Sequence, residues 1–205
     1  MEKYKEYRDV LDQLLKIAIA NGATQAKVIE SSDIVVDRRV RLKCMVPPCT
    51  YFGRHLFCPP EFISIDEFEK ILKSYKKGLI LQIEGELNST DKAPESLTQE
   101  LYKQLEEETG ERDYALQLHK LVNTVEREAF KLGLYYATGF IAGACKLCEE
   151  CVGPGNGHVC RHPFEARPSM EAMGIDVYET LKRAGLSIRF SSPEKVRWTG
   201  LVLLY

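Results

Sequence analysis

Apolar residues return every third or fourth position from the start of the chain. Tyr7, Leu11, Leu14, Leu15 and Ala18 make one stripe and Asn21-Gly22 supplies a stop, so residues 2–21 predict an amphipathic helix. Residues 25–30 predict a short strand, while residues 32–43 fit no single period. Ser64-x-x-Glu67 is a capping box ahead of Ile65, Phe68, Ile71, Leu72 and Tyr75, a helix expected to stop near Lys77-Gly78. Leu79 to Glu84 then reads as a buried strand. A second long stripe, Leu118, Leu121, Val122, Val125, Ala129 and Leu132, ends at Gly133, and the apolar, aromatic run from Leu134 to Ala142 predicts a strand. Asp176-x-x-Glu179 caps a helix through Val177, Tyr178, Leu181 and Ala184, stopped by Gly185. Leu186 to Phe190 and Val196 to Tyr205 read as strands, with Trp198 and Tyr205 packing the last one.

The order repeats: each half runs helix, strand, cysteine loop, helix, strand. The expected fold is therefore α/β or α+β, a single mixed sheet flanked by helices within one domain spanning 1–205. Two related α–β halves, about 1–87 and 114–205, would each carry a cysteine loop. Residues 88–113 break the pattern. They hold eight acidic and three basic residues and little that could enter a core, so an exposed insertion or solvated helix is expected, disordered around 88–94.

Composition narrows the function. Lys plus Arg is 28 and Asp plus Glu is 30 in 205 residues, a net charge of −2, which argues against a nucleic-acid binder. The longest uncharged stretch is the 14 residues from Leu132 to Cys145, short of the roughly 20 that cross a bilayer. The opening residues MEKYKEYRDV lack the apolar core of a signal peptide, so a cytoplasmic location with reduced thiols is expected. No P-loop, dinucleotide fingerprint or Ser–His–Asp arrangement stands out.

Seven cysteines then carry the chemistry. Cys44, Cys49 and Cys58 form one group; Cys145, Cys148, Cys151 and Cys160 form another, about 86 residues on. An odd number in a chain large enough to need no staples speaks against a disulfide framework and for metal. The C-x2-C-x2-C run with a later fourth cysteine is the pattern of a bacterial [4Fe–4S] ferredoxin, although here the fourth follows after eight residues and precedes Arg161. Zinc is the alternative, usually held by two separated ligand pairs. Gly153, Gly155 and Gly157 lie between the last two ligands and could aim N–H groups at cluster sulfurs, or simply make a turn. His158 and His162 read as supporting or structural residues. Three cysteines cannot complete a four-thiolate site, so the first group needs a carboxylate, a water, a substrate or a borrowed cysteine; its flanking prolines place it on a loop.

The stretches RLKCMVPPCTYFGRHLFCPP (41–60), EREAFKLGLYYATGFIAGACKLCEEC (126–151) and CRHPFEARPSMEAMGIDV (160–177) resemble a family of archaeal and bacterial proteins described as predicted metal-binding, a domain of unknown function. The resemblance implies metal binding through these cysteines and supplies no reaction. Val-Pro-Pro stands before Cys49 where the family pattern suggests a glycine. Arg161, His162 and Arg167 follow the last ligand and Arg54 and His55 sit comparably in the first loop, positions from which they could tune a thiolate cluster or hold an anionic substrate; Glu171 could pair with one of the arginines. Three functions follow: an iron–sulfur electron carrier meeting a redox partner, with one cluster and room for a second; an enzyme with an open iron on the three-cysteine group; or a zinc-stabilised interaction module.

Overall fold

Nine-residue runs rich in Leu, Ile and Val have no alternation to say which face is buried, and the chain solves this by covering both. The computed structural model describes residues 2–88, 99–155, 157–186 and 195–205. Its sheet holds four strands, β1 (Gln25–Glu30), β2 (Lys77–Gly85), β3 (Thr138–Phe140) and β4 (Val196–Leu204), in the order β1-β2-β4-β3. All three pairings are antiparallel, with Leu81 opposite Gly200 at the centre. The fold is thus α+β, and the expected mixed sheet is antiparallel throughout its named strands. A parallel contact survives only as the isolated bridge Ile141–Ser169 among the described residues.

Helices α1 (Glu2–Ala20) and α5 (Glu111–Lys131) pack on one face against Leu79, Leu81, Ile83, Val202 and Leu204. On the other face α3 (Ile65–Leu72) and α6 (Val177–Arg183) bring Phe68, Leu72 and Leu181 to Ile80, Leu201 and Leu203. Alternate residues of β2 and β4 therefore feed two cores, and each fully buried aliphatic side chain contributes about 1.5–3 kcal/mol. The order helix, strand, cysteine loop, helix, strand recurs as α1-β1-α3-β2 and α5-β3-α6-β4. α1 and α5 close alike, Ala23 N–H on the Ala18 carbonyl (3.0 Å) and Leu134 N–H on that of Ala129 (2.9 Å), around Gly22 and Gly133 with φ of +99° and +91°. Ser64 and Asp176 cap α3 and α6 through the Glu67 and Glu179 N–H groups. β2 and β4 form the central pair.

Several expectations shift. α3 ends at Leu72, so Tyr75 lies beyond it and donates its hydroxyl to the Tyr136 carbonyl at 2.8 Å. The ambiguous region folds as a 3-10 turn, Ser31–Asp33, and helix α2 (Arg38–Met45), capped by Asp37. The expected strand 134–142 shrinks to β3, because Tyr135 and Tyr136 stay exposed in a turn. Trp198 does pack, stacking on Tyr114 at 4.7 Å, whereas Tyr205 is exposed. The strand expected at 186–190 falls, but for Leu186, outside the described residues, as does most of 88–94. The acidic stretch contains α4 (Gln99–Glu108), and its Glu106 is buried, which corrects the picture of a wholly solvated insertion.

Candidate metal centre

Both cysteine groups sit on loops, one after α2 and one after β3, and the two loops share the wall of one cavity. Cys44 closes α2, and the Cys49 N–H returns to the Cys44 carbonyl at 2.9 Å, folding the chain back so that the two thiols face each other electrostatically. The Cys58 N–H bonds the His55 carbonyl (3.1 Å), and Gly53 N–H bonds that of Pro59 (2.8 Å), closing the loop beside Cys58. The second loop starts after β3 and is shut at its base by Ile141 N–H on Pro168 and Met170 N–H on Ile141. Within it, Arg161 donates to the Glu150 carbonyl at 2.7 Å, tying the Cys160 segment to the Cys148–Cys151 segment. Gly153, Gly155 and Gly157 all have φ between +72° and +78°, a turn that other residues would strain. Arg41 of α2 spans the two loop exits, donating to the Ala172 and Ile63 carbonyls at 2.9 and 2.5 Å.

Cys145, Cys148, Cys151 and Cys160 line one small cavity, walled by Leu56, Phe57, Leu147 and Ala166 and by His55 and His162. The first loop thus supplies part of the wall around the second group's thiols. Cys58 feels the charge of thiols from both groups, Cys49 and Cys44 of its own and Cys151 and Cys145 of the other. Burial first, and then these thiols, push Cys58 up to about 12. Cys145 is raised by burial and by Cys160, Cys148 and Cys151, against a Leu147 N–H that favours its thiolate; Cys44 is raised by burial, Cys49 and Glu171. Four thiolates crowded into an apolar wall cannot all ionise unless a cation compensates them, so the donor set suits a positively charged metal group. Among the described residues no three His, Cys, Asp or Glu side chains stand close enough to hold a single metal ion as they are.

The supporting residues sort differently from expectation. N–H groups on sulfur come from Leu147 to Cys145 and from His162 to Cys160 (3.4 Å), and not from the glycine turn among the described residues. His162 lines the cavity. Arg167 does not: its guanidinium forks onto Glu126 of α5 at 2.8 and 2.7 Å. Arg54 borders a separate pocket of about 250 Å³ between the loops, where its carbonyl lies 3.2 Å from the Cβ position of Gly153. Among the described residues Glu171 pairs with no arginine. Gly143 N–H and the Ser169 hydroxyl face its carboxyl, burial raises its pKa, and its Oε2 is buried without a hydrogen-bond partner. It also borders a cavity of about 700 Å³ between α2, α6 and β4, which no cysteine lines.

Sequence reasoning picked out His55 beside Arg54 and missed Phe57 and Lys146 as neighbours of the thiols. Lys146 lies between Cys145 and Cys148 in sequence, which was the available signal. No helix among the described residues is long and apolar enough to cross a membrane. The family model described as "Predicted metal-binding protein (DUF2284)" matches residues 27–204, and the chain belongs to that family. No curated protein and no solved structure matches it.

Proposed function

We propose that the chain binds a [4Fe–4S] cluster through Cys145, Cys148, Cys151 and Cys160 and serves as a cytoplasmic electron carrier for a redox partner protein. The observation that carries this reading is the convergence of four thiols, spaced C-x2-C-x2-C-x8-C, on one cavity with apolar walls. A bound cluster would supply a one-electron couple. The chain's own residues do the rest: Leu56, Phe57 and Leu147 keep water from the sulfurs, while the Leu147 and His162 N–H groups stabilise negative charge on Cys145 and Cys160. Cys44, Cys49 and Cys58 adjoin this set and would hold a second group. The test is iron, acid-labile sulfide and zinc content of protein purified without oxygen. About four irons and four sulfides per chain support one cluster, and about eight support two. Stoichiometric zinc without iron after growth in iron-replete medium overturns the reading.

An enzyme reading has one specific support: the 700 Å³ cavity is bordered by α2, whose last turn carries Cys44, and by Glu171, whose charge reaches that thiol. Such a volume suits a small organic substrate. A change in the visible spectrum on adding candidate small molecules to loaded protein would favour it over a carrier.

A further inference from the structure

Lys146 follows the first ligand of the second cysteine group, yet only 9% of its side chain is exposed. Its ammonium donates to both carboxylate oxygens of Glu106 on α4, at 2.5 and 2.6 Å, and Glu106 is itself 4% exposed. It donates also to the Tyr51 hydroxyl of the first cysteine loop at 2.6 Å, and stands 4.1 Å over the Tyr51 ring. Tyr51 passes its own proton donor to Glu106 Oε2 at 3.0 Å and meets His55 edge-on, with ring centroids 4.8 Å apart. His55 in turn walls the thiol cavity. Arg112, at the start of α5, reaches the Lys146 carbonyl at 3.4 Å.

A buried ion pair is poor value as a source of stability, since an apolar replacement of similar volume often does as well. What it supplies is a single allowed arrangement. Three polar groups from three segments distant in sequence satisfy one another only when both cysteine loops and α4 are in one relative position; any slip strands a buried charge.

We propose that Glu106, Lys146 and Tyr51 form a clasp that sets the first cysteine loop against the second, making Glu106 a positioning residue of the metal centre. The clasp rests on the iron–sulfur reading only for what it positions, because its contacts lie wholly within the chain. α4, from the stretch whose composition suggests a solvated surface, thereby becomes part of the centre's scaffold.

The experiment uses metal-free, reduced full-length protein and reads the alkylation rate of each cysteine by mass spectrometry. Glu106→Leu is expected to speed labelling of Cys58 and Cys145 about tenfold or more, as an unpaired buried Lys146 forces the loops apart. Glu106→Gln keeps the acceptor oxygen and should recover most of the protection. Tyr51→Phe keeps the ring and should release Cys58 more than Cys145. Leu118→Ala, in the α5 core, serves as a control at equal loss of thermal midpoint. The clasp is overturned if that control exposes both thiols as much as Glu106→Leu does, or if Glu106→Leu leaves both rates within about twofold of wild type. Should Glu106→Leu fail to fold, unchanged Cys58 labelling in Tyr51→Phe overturns it alone. Wild-type protein that takes up no iron would sink the cluster reading while leaving the labelling result to judge the clasp.

Discussion

The contact between Arg167 and Glu126 gives a sharp energetic test of how the second cysteine loop is anchored. Arg167 sits seven residues past Cys160, and Glu126 is on α5. Their side chains are 15% and 20% exposed, and Glu126 Oε2 accepts the Gly139 N–H of β3 at 2.6 Å besides the guanidinium. One carboxylate thus holds both the strand that leads into the loop and the segment that leaves it. Breaking a fully buried pair costs about 3–5 kcal/mol, and partial exposure of both partners moves the figure towards the lower end. Arg167→Ala should cost about 2.5 kcal/mol, and Glu126→Ala about 3, since the latter also orphans the Gly139 N–H. The double variant should cost about 3.5 kcal/mol, a coupling near 2. For a chain of this size about 3 kcal/mol lowers Tm by about 6–12 °C. The assay is reversible urea unfolding of reduced, metal-free protein followed by circular dichroism, with all four members of the cycle. A coupling below about 0.5 kcal/mol would refute the view that this pair clamps the loop base.

Three further expectations follow from the packing and the titrations. Gly200→Ala would put a Cβ 2.7 Å from Val122 and 3.0 Å from the Phe140 carbonyl, and should cost about 1–3 kcal/mol of overpacking in the same unfolding assay. His119, buried on α5 with Nε2 2.8 Å from the Glu165 carbonyl, has its pKa lowered from 6.5 by burial, helped by Arg167 and His162 and opposed by the bond to Glu165 and its charge. It stays neutral in the fold while the unfolded chain takes a proton, so stability should be full above pH 6.5 and fall as pH drops below it, by up to about 1.4 kcal/mol per unit; His119→Gln should flatten that fall. In metal-free protein at pH 8, iodoacetamide should label exposed Cys49 and spare Cys58, whose thiol is held up at about 12, with Cys58 labelling rising as pH is raised; equal rates would contradict the burial of Cys58.

Much of the fold was legible because its signals are local. The Ser64 and Asp176 caps, the glycine stops at Gly22 and Gly133, and the stripe through Leu118, Val122, Val125 and Ala129 act over one or two helical turns, and each recurs in the structure. The cysteine groups were legible for the same reason: spacings of three residues on a loop are a property of the local chain. Strand extents were less so, since Tyr135 and Tyr136 look apolar in sequence and only the turn after Gly133 leaves them outside the core. Charged residues misled most. Glu106 in an acidic stretch and Arg167 after the last cysteine read as solvated and cluster-facing, because periodicity carries no information about a partner far along the chain.

The sequence alone therefore determined most of the helices and strands, the Ser64 and Asp176 caps, the family resemblance and the identity of the seven thiols. Only the tertiary structure decided that the sheet is antiparallel in the order β1-β2-β4-β3, that the first cysteine loop walls the cavity of the second group's thiols, and that Lys146 finds Glu106 and Tyr51. These are contacts between residues remote in sequence, and they are fixed by burial: two loops driven together by the cores beneath them must pair every charge they exclude from water.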